Sequence, residues 1–138
     1  MRLSFPERHA YFPWRQAYHP LLPVEFNVGL NSYPTLAILD SGADYSLFPA
    51  SIAVDLGLNL TDGREDELFG IAGSALVYFH RVSMTIGNSF RTDLDVAFSD
   101  ETGDDYTDQL IGRDVIFDSL RFAFQQRKYS IHIGRDHR

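Results

Sequence analysis

The sequence predicts a mostly β, barrel-like domain with one or two short helices. Apolar and polar residues alternate over short segments, such as residues 24–28 and 82–86, which is the pattern of half-buried strands. Turn-forming pairs such as Gly87-Asn88 separate these segments, so neighbouring strands should form hairpins. Only residues 49–57 and 113–118 resemble helices, and both segments are short. Many short strands with few helices are typical of a small barrel.

The individual elements follow from the same patterns. Residues 31–34 should turn the chain after the first strand, and the apolar run at 36–39 should be a strand buried on both faces. The remaining expected elements are strands at 76–79 and 82–86, a return strand at 90–98, an acidic loop at 100–108 and a terminal hairpin at 122–133.

Length and composition fit one folded domain. The chain has 138 residues, of which 44% are hydrophobic and 22% are charged, as in ordinary globular proteins. We expect a single domain over residues 1–138, with its core at 24–133. The preceding residues 1–23 are rich in proline and aromatic residues. This arm is expected either to lie extended and irregular over the domain or to be partly mobile.

Charge and cysteine content exclude several classes of protein. The formal net charge of -7 would repel phosphates, so a nucleic-acid partner is not expected. The chain has no cysteine, which excludes disulfides, thiolate zinc sites and a cysteine nucleophile. No stretch has the apolar character of a secretory signal or a membrane span, so we expect a cytoplasmic protein without a membrane partner.

The segment that most strongly suggests chemistry is LAILDSGADYSLFP, residues 36–49. Its apolar run ends in Asp40. A carboxylate at the end of a buried strand is costly unless it is paired, hydrogen-bonded or used in function. Three kinds of chemistry could use it.

The first is metal binding by Asp40 and Asp44, or by the acidic loop 100–108. Both segments lack the ligand spacing of a calcium-binding loop, and a solvated acidic loop is the simpler interpretation at 100–108. The second is a nucleophilic Ser41 or Ser74. Neither serine lies in a G-x-S-x-G turn, and the five histidines show no spacing that marks a base.

The third is acid–base catalysis by two aspartates that share a proton, for which aspartic proteases are the standard example. Such a site needs an aspartate at a strand end, donors to hold it, and a glycine for close backbone approach. The tripeptide Asp40-Ser41-Gly42 has all three features.

Three segments resemble the retropepsins, the single-domain retroviral-type aspartic proteases, and the layout is most similar to prokaryotic cellular members of that clan. Residues 38–43 (ILDSGA) match the family's hydrophobic-hydrophobic-Asp-Thr/Ser-Gly-Ala signature. Residues 110–113 (LIGR) resemble its later hydrophobic-hydrophobic-Gly-Arg element. Between them, residues 70–73 (GIAG) lie where retropepsins have a glycine-rich flap. The similarity covers most of the chain, about residues 24–133.

The resemblance implies a role for each matching residue. Asp40 would be the catalytic carboxylate, and Ser41 would brace the two active-site loops across a dimer. Asp44 would pair with Arg113 without taking part in the chemistry. The full set of supporting residues would be Ser41, Gly42, Ala43, Asp44, Gly112 and Arg113. The flap that closes over a substrate would contain Gly70, Ile71, Ala72 and Gly73.

A single Asp-Ser-Gly provides only half of such a site. The resemblance therefore implies a homodimeric endopeptidase with a polypeptide substrate and no metal or organic cofactor, in which Asp40 meets its symmetry mate. Asp114 departs from the asparagine that viral enzymes usually have there. The alternative is a retropepsin-fold module that binds peptides or dimerises without catalysis, with Asp40 kept as a hydrogen-bond acceptor.

Overall fold

The structure is a computed structural model that describes residues 2–70 and 73–136. Most of the described chain is β-strand. In chain order the strands are β1 (Glu7–Ala10), β2 (Phe12–Trp14), β3 (Ala17–His19), β4 (Leu21–Val28), β5 (Asn31–Leu39), β6 (Leu47–Pro49), β7 (Arg64–Gly70), β8 (Gly73–Ile86), β9 (Phe90–Ser99), β10 (Leu110–Ile111), β11 (Leu120–Gln125) and β12 (Ser130–Arg135). The α-helices are α1 (Ala50–Asp55) and α2 (Ile116–Ser119).

Seven strands form the main sheet in the order β4-β5-β10-β6-β9-β8-β7. Strand β4 also pairs with β8, so the pairing returns to β4 and gives the sheet its barrel-like form. Phe26, Phe48 and Phe98 are fully buried inside it, with the ring of Phe26 4.7 Å from that of Phe48 and 6.1 Å from that of Phe98. The prediction of a mostly β domain with one or two short helices is confirmed.

The longest hairpin joins β8 and β9 through a turn that begins at Gly87, whose φ is +63°. The two apolar segments predicted at 76–79 and 82–86 belong to the single strand β8. The terminal hairpin β11–β12 also lies where the apolar pattern predicts it. The apolar patterns thus located these strands, although they divided β8 into two.

The structure moves two of the predicted boundaries. The turn expected at 31–34 lies earlier, at Gly29 and Leu30, because the φ of +57° at Gly29 suits a tight connection. Pro34 is inside β5. Strand β10 pairs with β5 only at Ile38 and Leu39, so the missing N–H of Pro34 removes no hydrogen bond to β10. Helix α2 begins at Ile116 rather than 113, after Val115 with a φ of 63°.

The N-terminal segment is not irregular. Strand β1 pairs with β12 to give a second sheet in the order β1-β12-β11, and β2 pairs with β3 as a small hairpin. Aromatic rings hold this segment against the domain: Tyr11 is buried, and Tyr18 stacks on Tyr129 with ring centroids 4.8 Å apart. These strands were not predicted because each has only three or four residues and prolines lie nearby. Such short segments show no clear alternation of apolar and polar residues.

Strand β7 also escaped prediction. Its sequence REDELFG is mostly charged, yet it pairs with β8 over its whole length. The apolar residues of this hairpin lie mostly in its other strand, β8. None of the helices in the described ranges is long and apolar enough to cross a bilayer.

Candidate active site

Asp40 follows the last residue of β5, beside the end of the parallel strand β10. The register pairs Ile38 with Leu110 and Leu39 with Ile111. The Asp40 N–H then donates to the Ile111 carbonyl at 2.9 Å. Parallel strands bring their carboxyl ends to the same edge, so Asp40 and Gly112 become neighbours although 72 positions separate them in the sequence.

The carboxylate of Asp40 is held by its own loop. Its Oδ1 accepts the backbone N–H of Gly42 at 2.9 Å, and the Asp40 carbonyl accepts the N–H of Ala43 at 3.2 Å. A Cβ on Gly42 would lie 3.2 Å from the same Oδ1, tighter than ordinary contact. Asp40 is half-buried and Ser41 is exposed. The loop therefore fixes one carboxylate oxygen while the side chain remains accessible.

Gly112 is buried where the two site loops meet. Its N–H donates to Oγ of Ser46 at 3.1 Å, and Ser46 is itself fully buried. A Cβ on Gly112 would lie 2.4 Å from the carbonyl carbon and oxygen of Tyr45. Backbone atoms cannot move aside as a flexible side chain can, so this position accepts glycine alone. Ser46 and Tyr45 were not among the residues predicted from the sequence.

Arg113 and Asp44 form an ion pair beside the Asp40 loop. The backbone strengthens the same connection, because the Arg113 N–H donates to the Ala43 carbonyl at 2.9 Å. The side chains of Arg113 and Asp44 are 53% and 72% exposed. A pair this exposed contributes about 0–1 kcal/mol to stability.

The β7–β8 hairpin lies across a groove from the Asp40 loop. The groove has a volume of about 820 Å³. At the tip, Gly70 pairs with Gly73, whose φ is +119°. Ile71 and Ala72, which were predicted to lie near this tip, fall outside the described residues. The groove is open to solvent and is lined by both the hairpin and the Asp40 loop.

The groove brings together predicted and unpredicted residues. Asp40, Gly42, Ala43, Asp44 and Gly73 are the predicted residues that line it. The remaining lining residues were not predicted to border a groove, and they are Tyr45, Leu47, Glu67, Leu68, Phe69, Ser74, Ala75, Glu101 and Leu110. Gly112 and Arg113 contact the Asp40 loop from outside this lining, and Ser41 lies exposed on that loop.

Asp114 is a partly buried acid next to the site. Its Oδ1 is buried without a hydrogen-bond partner among the described residues. Burial raises the pKa of the Asp114 carboxyl, and the negative charges of Asp95 and Asp118 act in the same direction. Where viral enzymes usually have asparagine, this chain therefore has an acid next to Arg113, and the charged form of that acid is disfavoured.

The two other chemistries considered for the site gain no support from its geometry. Ser74 donates its hydroxyl to Glu67 at 2.9 Å rather than to a histidine base. Within residues 2–70 and 73–136, no group of three or more His, Asp or Glu side chains is arranged to hold a metal ion. Asp40, at the end of β5, lies beside the groove where its own loop meets the Gly112 loop.

A β-rich domain with an Asp-Ser-Gly loop facing a groove beneath a hairpin is the arrangement of aspartic proteases with the retropepsin-like fold. The sequence model of the aspartyl protease family matches residues 22–115, more than half of the chain. The protein therefore belongs to the aspartyl protease family, and the predicted resemblance is confirmed.

Comparison of structures agrees with this assignment at the level of the fold. The chain is similar to the EIAV protease solved in complex with the inhibitor HBY-793, with a TM-score of 0.55 and 19% sequence identity. The match covers 76% of this chain and 91% of the viral protease. No curated protein matches the chain at a significant level.

Proposed function

We propose that this aspartic protease is a homodimeric endopeptidase in which Asp40 and the Asp40 of a second copy form the catalytic dyad. The observation that carries the proposal is the single Asp-Ser-Gly in the sequence, set at the edge of a peptide-sized groove. Acid–base hydrolysis by this family's chemistry needs two carboxylates. A symmetric pair of copies supplies the second one.

The reaction would use the two carboxylates in different protonation states. Two aspartates that share a site cannot both ionise easily, so the pair holds one proton and titrates as a unit. The ionised carboxylate accepts a proton from water, and the resulting oxygen attacks the peptide carbonyl carbon. The protonated partner donates its proton to the carbonyl oxygen. When the tetrahedral intermediate collapses and the C–N bond breaks, the amine leaves with the proton that the first carboxylate took from water. The other carboxylate takes back a proton from a hydroxyl of the intermediate as the product acid forms, which restores the dyad.

Supporting roles follow from the contacts around Asp40. The Gly42 N–H orients Oδ1, and Ala43 joins the loop to Arg113 through its carbonyl. Asp44 and Arg113 keep the two loops in register, and Gly112 allows them to pack closely. Exposed Ser41 would meet the second copy. None of these steps calls for a metal or an organic cofactor.

The β7–β8 hairpin would act as the flap over a polypeptide substrate. Gly70, Ile71, Ala72 and Gly73 would form its tip, where the two glycines permit the backbone to approach the substrate closely. A peptide bound between this hairpin and the Asp40 loop would have its scissile bond above the dyad.

The test is peptide cleavage by the wild type and by Asp40→Asn, with Asp55→Asn as the control because Asp55 is an exposed aspartate on α1. We expect cleavage by the wild type and the control and none by Asp40→Asn. Sedimentation should show a dimer, and activity should rise with the square of concentration below its dissociation constant. Equal cleavage by Asp40→Asn would disprove the dyad. A strict monomer that binds peptides without cleaving them would favour the non-catalytic module.

A further inference from the structure

The groove beside Asp40 has an unbalanced charge. Its lining contains four carboxylates, from Asp40, Asp44, Glu67 and Glu101, and none of the described lining residues is basic. Arg113 neutralises Asp44. Among the residues that the structure describes, Glu67 and Glu101 have no ion-pair partner. A ligand in this groove therefore meets two uncompensated negative charges in addition to the catalytic one.

Both glutamates are held in place by neutral donors. Glu101 accepts the backbone N–H of Leu76 at 2.6 Å, and its own N–H donates to Ser99 Oγ at 3.1 Å. Glu67 accepts the Ser74 hydroxyl at 2.9 Å across the hairpin. Such bonds fix the orientation of a carboxylate without cancelling its charge. Binding of a cation there costs less side-chain entropy, because the carboxylate is already ordered before the cation arrives.

The surface between these carboxylates is apolar. Leu47, Leu68, Phe69, Ala75 and Leu110 line the same groove. Phe69 is 81% exposed, which leaves its ring available to a bound chain. Lysine and arginine match this combination, because their aliphatic stems lie along apolar surface while their charged ends reach a carboxylate.

We infer that the groove selects polypeptides with lysine or arginine near the bond to be cleaved, and that Glu67 and Glu101 determine this preference. The inference rests on the proposed function, in that the groove is taken as the peptide site. In a symmetric dimer each copy contributes one such pair of glutamates. The basic residues would then be favoured on both sides of the scissile bond.

The preference can be tested by binding, independently of catalysis. The full-length Asp40→Asn variant is titrated with two fluorescent peptides that share an apolar central pair and differ only in their flanking residues. One carries lysines and the other carries acetyl-lysines, which keep the stem and remove the charge. We expect the lysine peptide to bind about tenfold more tightly, the size of one favourable charge contact, and to lose this advantage at high salt.

Glutamine variants identify the residues responsible. Glu67→Gln and Glu101→Gln, each in the Asp40→Asn background, keep the accepting oxygen and should each reduce the ratio of the two dissociation constants. Glu25→Gln removes the same charge from an exposed position on β4 outside the groove and should leave the ratio unchanged. Equal binding of both peptides, no binding of either, or an unchanged ratio in both groove variants would overturn the inference.

Cleavage of the same peptides by the wild type separates this inference from the proposed function. Absence of cleavage together with glutamate-dependent binding of the lysine peptide would reject the protease and keep the charge preference. Cleavage of both peptides at equal rates, with equal binding, would keep the protease and reject the preference.

Discussion

The buried hydroxyl of Ser46 accepts the backbone N–H of Gly112 at 3.1 Å and so joins the two loops that form the candidate active site. The Ser46 carbonyl also accepts the N–H of Ala97 on β9 at 3.0 Å. One buried serine therefore connects the Asp40 loop, the Gly112 loop and the main sheet. Several predictions about the site depend on connections of this kind.

Removing the Ser46 hydroxyl should destabilise the protein. Ser46→Ala leaves the buried Gly112 N–H without an acceptor, which costs about 1–3 kcal/mol in the free energy of unfolding. Urea denaturation measures this loss. Ser51→Ala, at an exposed position on α1, is the control and should change stability by about 0.5 kcal/mol or less. Equal effects of the two substitutions would show that the Ser46 contact contributes nothing.

A methyl group at Gly112 should be more damaging than one at a glycine with open surroundings. Gly112→Ala forces a Cβ to within 2.4 Å of the Tyr45 backbone, and we expect a loss of about 3 kcal/mol in unfolding free energy. At Gly29 a Cβ would meet nothing within 4 Å, and only its positive φ opposes alanine. Gly29→Ala should cost about 1 kcal/mol. Thermal or urea unfolding compares the two, and a smaller loss at Gly112 would contradict the packing described here.

Gly42→Ala should affect catalysis more than stability. Gly42 is exposed, and its added Cβ would press on Oδ1 of Asp40 from 3.2 Å. We expect the unfolding free energy to change by less than about 1 kcal/mol, since exposed sites tolerate substitution. Cleavage should fall by about tenfold or more, because displacement of a reacting group is costly. Parallel measurement of kcat and urea unfolding distinguishes these effects. Full activity in this variant would mean that the loop does not position the carboxylate.

Asp105 should make the anchoring of the N-terminal hairpin dependent on pH. The Thr107 N–H, and then the side chains of Trp14 and Arg15, hold the pKa of the Asp105 carboxyl well below its usual range. An acid with a lowered pKa in the folded state stabilises the protein above its unfolded pKa, about 3.9, and this contribution is lost as the pH falls towards the folded value. The wild type should therefore exceed Asp105→Asn in stability at neutral pH.

The difference between these two proteins should shrink as the pH is lowered below about 4. Urea unfolding across a pH series measures it, with tryptophan fluorescence as a second signal because Trp14 donates to Asp105 at 2.8 Å. Asp104→Asn is the control, since Asp104 is an exposed neighbour in the same loop. A constant difference at all pH values would contradict the ionic origin of this contact.

Strands with a hydrophobic face of their own could be predicted from the sequence, whereas strands defined by a partner could not. The alternation in β4, β8 and β9 reflects burial of one face, and the sequence displays it directly. Strand β7 owes its conformation to pairing with β8, and its own charged sequence looks like a loop. The pairing of β1 with β12 joins opposite ends of the chain, for which single-sequence patterns hold no information.

The site shows the same division. Asp40 was identifiable because a charge at the end of an apolar run is unusual. Its contact with the Gly112 element depends on the parallel pairing of β5 and β10, and only the family resemblance indicated it. Ser46 looked like an ordinary loop serine. Glu67 and Glu101 looked like solvated charges, because nothing in the sequence shows that the hairpin and the acidic loop border one groove.

The sheet β1-β12-β11 holds both ends of the described chain within one copy. A single copy can therefore complete its fold without borrowing a terminal strand from another. If the protease works as proposed, a copy folds first and becomes active only when it dimerises. A dilute solution would then contain folded but inactive monomers. The abundance of the protein would then decide when it cuts.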